Sequence, residues 1–357
     1  MITAKAPGKM ILVGEYAVLH SGKALVSAMD CYASVTLSAT DTHLFEISAP
    51  SLSIKSIPFY ILSNGQLEFV NINDDNILKK LHFFRIVFEE INKIVLSKGN
   101  QFQPIKIEID TDDFYSANRE NKYGFGSSAA MTVAFIQALL KSVNLLGDYN
   151  KHDFFQLAFR IHRKAQGNLG SGIDVAASIY GNVLTYQLKE EKGVLTGYGQ
   201  PVECWDDLFV VPIWVGHSTS TRKMVRSVDA LKESSPRIFN QIMNALIQCS
   251  ENGCESYMQK DKTAFYEAIR EFNKILSYLG KQSNTPIISD VHRKLIDLIS
   301  DSDVVYKPSG AGGGDIGVAF CDSMNAVKKI KRLINQTDFQ VLDFDITNEG
   351  VSVYEIE

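Results

Sequence analysis

The segment Lys122-Tyr-Gly-Phe-Gly-Ser-Ser-Ala-Ala130 runs without a break into a long apolar stretch, and that junction limits the folds open to the chain. Gly124 and Gly126 allow positive φ and a close approach of the backbone to a neighbour. Ser127 and Ser128 then stand where a helix begins. Amides there have no partner of their own and lie at the positive end of the helix dipole. Such a start binds anions, phosphate above all. A serine cap after a glycine turn is the plainer reading of the same letters. The spacing is neither that of a Walker loop nor that of a dinucleotide fingerprint.

Two further glycine clusters need explaining. Ser309-Gly-Ala-Gly-Gly-Gly-Asp-Ile-Gly317 lies between two strand-like segments. Gly310, Gly312, Gly313 and Gly314 weaken any regular element through lost backbone entropy. Either close approach to a ligand or a hinge accounts for them. In Ala165-Gln-Gly-Asn-Leu-Gly-Ser-Gly-Ile-Asp-Val-Ala-Ala177 a helix stops at Gly167 and Asp174 enters an apolar helical stretch. An acid there either caps the helix or needs a cation beside it.

The rest of the pattern is mixed. Strands are expected at 2–6, 9–13, 33–38, 104–110 and 182–187, with turns at Pro7-Gly8 and Ser21-Gly22. Residues 74–99 read as one amphipathic helix, capped by Asp74 or Asp75 and ended by Gly99, with further helices at 128–143 and 153–166. A composition change near 189–200 suggests a division into domains at 1–200 and 201–357. The second half reads as a strand at 208–215, helices near 221–231, 236–258, 262–279 and 288–299, and a closing run of strands around one helix over 304–357. Strands and helices interleave in both halves, so the class is α+β. A length of 357 residues suits two ordinary domains.

Net charge is −5, which argues against nucleic acid as a partner. No apolar run approaches the ~20 residues of a membrane helix, and the N-terminus lacks the core of a signal peptide. A cytoplasmic protein is expected. Five scattered cysteines without metal-ligand spacing read as reduced thiols.

The three clusters in this order, with Lys5-Ala-Pro-Gly-Lys9 and Gly14-Glu-Tyr16, resemble the GHMP kinase superfamily. Gly14-Glu15-Tyr16, the lysine leading the 122–130 loop and the 165–177 stretch are most similar to the phosphomevalonate kinases. The resemblance implies a two-domain fold, with an N-terminal domain like ribosomal protein S5 and a ferredoxin-like C-terminal domain, and a site in the cleft between them. It implies ATP with Mg2+, transfer of the γ-phosphoryl to phosphomevalonate, and Lys9 and Asp174 as the catalytic pair. Lys122, Gly124, Gly126, Ser127, Ser128 and Ala129 would hold the nucleotide, with Ser128 on the metal. Lys9, Glu15, Tyr16, Ser171, Gly172, Ser218, Ser220, Arg222, Gly310, Ala311, Gly312 and Gly313 would hold the acceptor.

One departure concerns 161–164, Ile-His-Arg-Lys, where mevalonate kinases carry a metal-binding glutamate. Mevalonate kinase, with its alcohol acceptor, and a non-catalytic nucleotide- or metabolite-binding relative are the alternatives. A phosphomonoester has a second pKa of about 6 and is mostly a dianion at neutral pH. Its phosphorylation therefore demands charge neutralisation more than a base. Lys9, Lys122, Arg163, Lys164, Arg222 and Lys223 flank the motifs and would supply that charge. Asp174 serves either as a base or as the residue that orients Lys9 or the metal, and Lys9 is expected to bridge the two phosphates while Asp174 holds it. The adenine contacts are open between the loops at 71–76 and 115–119. The helical run 236–299 fits either a core or a homodimer face.

Overall fold

The computed structural model describes residues 1–72, 74–116, 118–119, 121–299 and 303–355. Asn73 and Ala117, in the two loops considered for adenine, lie outside the described residues, as do the last two residues of the final expected strand.

The chain begins with strands β1 (Ile2–Val13), β2 (Lys23–Ala39), β3 (Phe45–Ala49), β4 (Ile54–Ile61) and β5 (Leu67–Phe69). Helices α1 (Asp75–Lys80) and α2 (His82–Ser97) follow, then β6 (Ile105–Asp110), α3 (Ser127–Ser142), α4 (Lys151–Ala165), α5 (Ile173–Tyr180) and the hairpin β7 (Val183–Glu191) and β8 (Val194–Val202). The second half runs β9 (Phe209–Trp214), α6 (Thr221–Ser234), α7 (Pro236–Met258), α8 (Lys262–Gln282), α9 (Asp290–Ile299), β10 (Val304–Ser309), β11 (Ile316–Cys321), α10 (Met324–Ile334), β12 (Gln340–Val341) and β13 (Ser352–Glu355).

Two sheets result. The larger has the order β13-β1-β2-β6-β3-β4-β5, with β7 on the other end of β2 and β8 on β7. β2 is long enough for both partners: its 34–39 stretch pairs with β6 and its 23–27 stretch with β7. The smaller sheet has the order β10-β11-β9-β12, all antiparallel. Strand β9, the helices, β10, β11, α10 and β12 make the split βαββαβ arrangement of a ferredoxin-like unit. The fold is the expected two-part α+β architecture.

Several local expectations change. Pro7-Gly8 does not end a strand. It makes a register shift inside a continuous β1, because Gly8 lets the strand pass close to Cys31 and Phe125. The helix expected over 74–99 breaks at Leu81, with Asp74 capping α1 through Asn76 N at 2.8 Å. Residues 45–69, to which the periodicity assigns nothing, form three short strands. Residues 189–200 form part of the β7–β8 hairpin, so the passage between sheets falls between Val202 and Phe209. The last strand returns to pair with β1, which places 352–355 in the larger sheet.

Helix α3 is apolar on all sides because it is enclosed: it lies on β1 and β2 and is flanked by α2, α4 and α5. Burial of this helix fixes where its first turn emerges. All five cysteines are unpaired thiols, four of them buried.

Candidate active site

The loop before α3 is tied to β1 by Lys9 N donating to Phe125 O at 2.8 Å. Gly124 and Gly126 have φ of +88° and +80°, the left-handed region the sequence predicts. Ala129 N and Ala130 N both donate back to Gly126 O. The amides of Ser127 and Ser128 come before this first closure and have no partner among the described residues. Ala129, expected to contact nucleotide, is fully buried with its amide occupied; the amides left open at the helix start are those of the two serines.

Lys9 and Asp174 meet at Gly126. A Cβ there would lie 3.2 Å from Lys9 Cγ and 3.7 Å from Asp174 Cβ. Asp174 stands in the first turn of α5 and accepts from Val175 N at 3.0 Å. The Lys9 ammonium is 3.5 Å from Gly124 O. Burial lowers its pKa, and the charges of Asp174, Asp315 and Glu15 oppose that shift. Asp174 acts on Lys9 by charge, not by the direct grip expected, since no ion pair closer than 4.0 Å joins them among the described residues.

Asp315 belongs to this site, a role the sequence reading did not assign. It sits at φ +58° in the glycine cluster, and a Cβ on Gly124 would be 2.8 Å from its own Cβ. Burial raises its pKa against the opposing pull of Ser218 and Lys9. An acid among bare glycines was the available signal. The 122–130 and 309–317 loops therefore face each other, as expected, and Ser218 Oγ, on the loop before α6, donates to Lys122 O at 3.0 Å. Lys122 is exposed at the loop entrance, its ammonium 6.0 Å from the Tyr115 ring centre.

Several residues expected to hold the acceptor hold protein instead. Glu15 is buried in an ion pair with Lys307 and also accepts from Gly310 N at 3.3 Å. Tyr16 donates to Ala311 O at 2.7 Å. Gly312 and Gly313 are buried against Ile287, with Gly313 N donating to Ile287 O at 2.9 Å. Gly172 lies against the Phe159 ring, and Ser171 is buried with its carbonyl accepting from Tyr186. Ser220 caps α6 by accepting from Lys223 N at 3.4 Å. Gly310, Ala311, Ser218 and Arg222 keep exposed or half-exposed positions. Arg222 donates to Gln166 O at 3.3 Å, which brings α6 to the end of α4.

Among the described residues no group of three or more His, Cys, Asp or Glu could hold a metal ion. Mg2+ keeps several waters and draws oxygen ligands largely from phosphates. A donor set of the Ser128 hydroxyl and one carboxylate such as Asp174 fits an ion carried in on a nucleotide.

Residues 81–182 match the family model described as GHMP kinases N terminal domain. Phosphomevalonate kinase of a Streptomyces species is 25% identical over 347 residues, 90% of either chain. Mevalonate kinase of Saccharolobus solfataricus is 28% identical over 247 residues, 69% of this chain and 68% of that one. Among solved structures, the Lin0012 protein of Listeria innocua superposes with a TM-score of 0.85 at 26% identity over 99% of both chains. Streptococcus pneumoniae phosphomevalonate kinase in complex with phosphomevalonate and AMPPNP superposes with a TM-score of 0.77 at 19% identity, over 97% of this chain and 100% of that one. Residues 81–182 thus carry the match to a GHMP kinase N-terminal domain, and the whole chain shares the fold of these solved structures.

Proposed function

We propose that this chain, an ATP-dependent small-molecule kinase of the mevalonate route, is a phosphomevalonate kinase, moving the γ-phosphoryl of ATP onto a phosphate acceptor. The observation that carries this reading is the placement of Lys9: a cation set between Asp174, Asp315 and the phosphate loop, beside the free amides of Ser127 and Ser128. An acceptor that is already a dianion needs charge neutralisation and alignment, which Lys9, Lys122 and the helix start supply. Ser128 and Asp174 would hold the Mg2+ that offsets charge on the donor phosphates. Asp174 and Asp315 together keep Lys9 oriented in its buried place.

Relatives named as mevalonate kinases match at comparable identity, so the deciding experiment offers both acceptors. Release of ADP is followed by a coupled assay with mevalonate and with phosphomevalonate. Turnover with phosphomevalonate and little with mevalonate is the expected result. The reverse preference would make the chain a mevalonate kinase, and nucleotide binding without turnover on either would make it a sensor.

A further inference from the structure

His162 lies in the last turn of α4, only 2% exposed, under the phosphate loop. Its Nε2 has two polar neighbours at 3.4 Å, the hydroxyl of Ser128 and the amide nitrogen of Gln166. The Phe83 ring closes another side, 5.7 Å between ring centres. An amide NH2 group only donates, so Nε2 is an acceptor and the ring proton sits on Nδ1. Nε2 has one lone pair, which the Gln166 amide and the single proton of the Ser128 hydroxyl share. Both lone pairs of Ser128 Oγ are then left for the other side.

We propose that His162 is a positioning residue which, by holding the hydroxyl proton of Ser128, presents Oγ as an acceptor and so selects cation-loaded nucleotide over free nucleotide. This rests on the kinase reading above. A phosphate oxygen needs a donor and a cation needs lone pairs, so the direction of one proton decides which of the two Ser128 receives. A neutral ring does this without adding a carboxylate where a second anionic substrate must approach.

The test is calorimetric binding of AMPPNP to the whole chain, in excess Mg2+ and again in EDTA. The quantity read is the ratio of the two affinities. Wild type should favour the Mg2+ form, His162→Ala should shrink the ratio about tenfold, and His162→Gln, whose carbonyl can accept, should restore most of it. Circular dichroism checks that each variant folds. A purely structural histidine would lower the melting temperature and both affinities together, leaving the ratio alone. An unchanged ratio in folded His162→Ala, or no recovery in His162→Gln, overturns the proposal. Wild type that takes up AMPPNP under neither condition would end the kinase reading itself, and this inference with it.

Discussion

Lys307 on β10 and Glu15, just beyond β1, form an ion pair that joins the two sheets, with side-chain exposures of 0% and 2%. Lys307 also donates to Pro308 O, and Glu15 Oε1 accepts from Gly310 N. Ser309 Oγ adds a second link, accepting from Ile11 N and donating to Ile11 O, both at 3.0 Å. The glycine-rich loop is thus anchored to β1 at its base before any substrate arrives.

Removing one member of this pair strands a buried charge. Lys307→Met should cost about 3–5 kcal/mol, read as a lower urea midpoint. Lys307→Met with Glu15→Leu should recover much of it, because an apolar pair replaces an ionic one. A double variant no more stable than the single would show that the pair is not the source of the loss.

Asp174→Asn should lower turnover roughly tenfold and leave the acidic limb of the pH profile in place, the signature of a residue that orients Lys9 or the metal. Loss nearer 10⁴-fold with disappearance of that limb would make Asp174 a general base.

Gly312→Ala and Gly310→Ala separate packing from ligand contact. A methyl on Gly312 meets the Ile287 carbonyl at φ +79°, so overpacking of about 1–3 kcal/mol adds to roughly 1–2 kcal/mol of backbone strain. Gly310 has φ +94°, and among the described residues, its chain neighbours aside, no atom lies within 4 Å of such a methyl. Its alanine variant should keep most of its stability, at roughly 1–2 kcal/mol for the backbone strain, and lose activity by raising KM. Equal melting temperatures for the two variants would contradict this.

His292 gives a pH dependence with a definite sign. It is buried, with Nδ1 2.8 Å from the Tyr306 hydroxyl and Nε2 3.3 Å from Gly314 O, and burial lowers its pKa from 6.5 to about 4. Below pH 6.5 the unfolded chain takes a proton the folded chain refuses, so stability falls as pH drops toward 4. The full effect is roughly 3 kcal/mol at 1.36 kcal/mol per unit. Urea midpoints of wild type and His292→Gln at pH 7.5 and pH 5 should converge at the lower pH. A constant gap would remove His292 from the pH response.

Much of the candidate site could be read from letters alone, because its parts are local. A glycine pair followed by serines and an apolar run forces positive φ and an exposed helix start wherever it occurs, and α3 begins at Ser127 as that rule requires. Asp174 stood out by its own glycine cluster, and Lys9 by the resemblance of the Lys5–Lys9 motif. Tertiary structure alone decided what each residue touches. Glu15 and Tyr16 became anchors of the 309–317 loop, Gly312 and Gly313 went against Ile287, and Asp315 and His162 acquired neighbours more than thirty residues away. Backbone torsion and helix initiation depend on a few adjacent residues. Burial, pKa and hydrogen-bond partnership depend on which distant segments the two sheets bring together, and no short stretch of sequence carries that information.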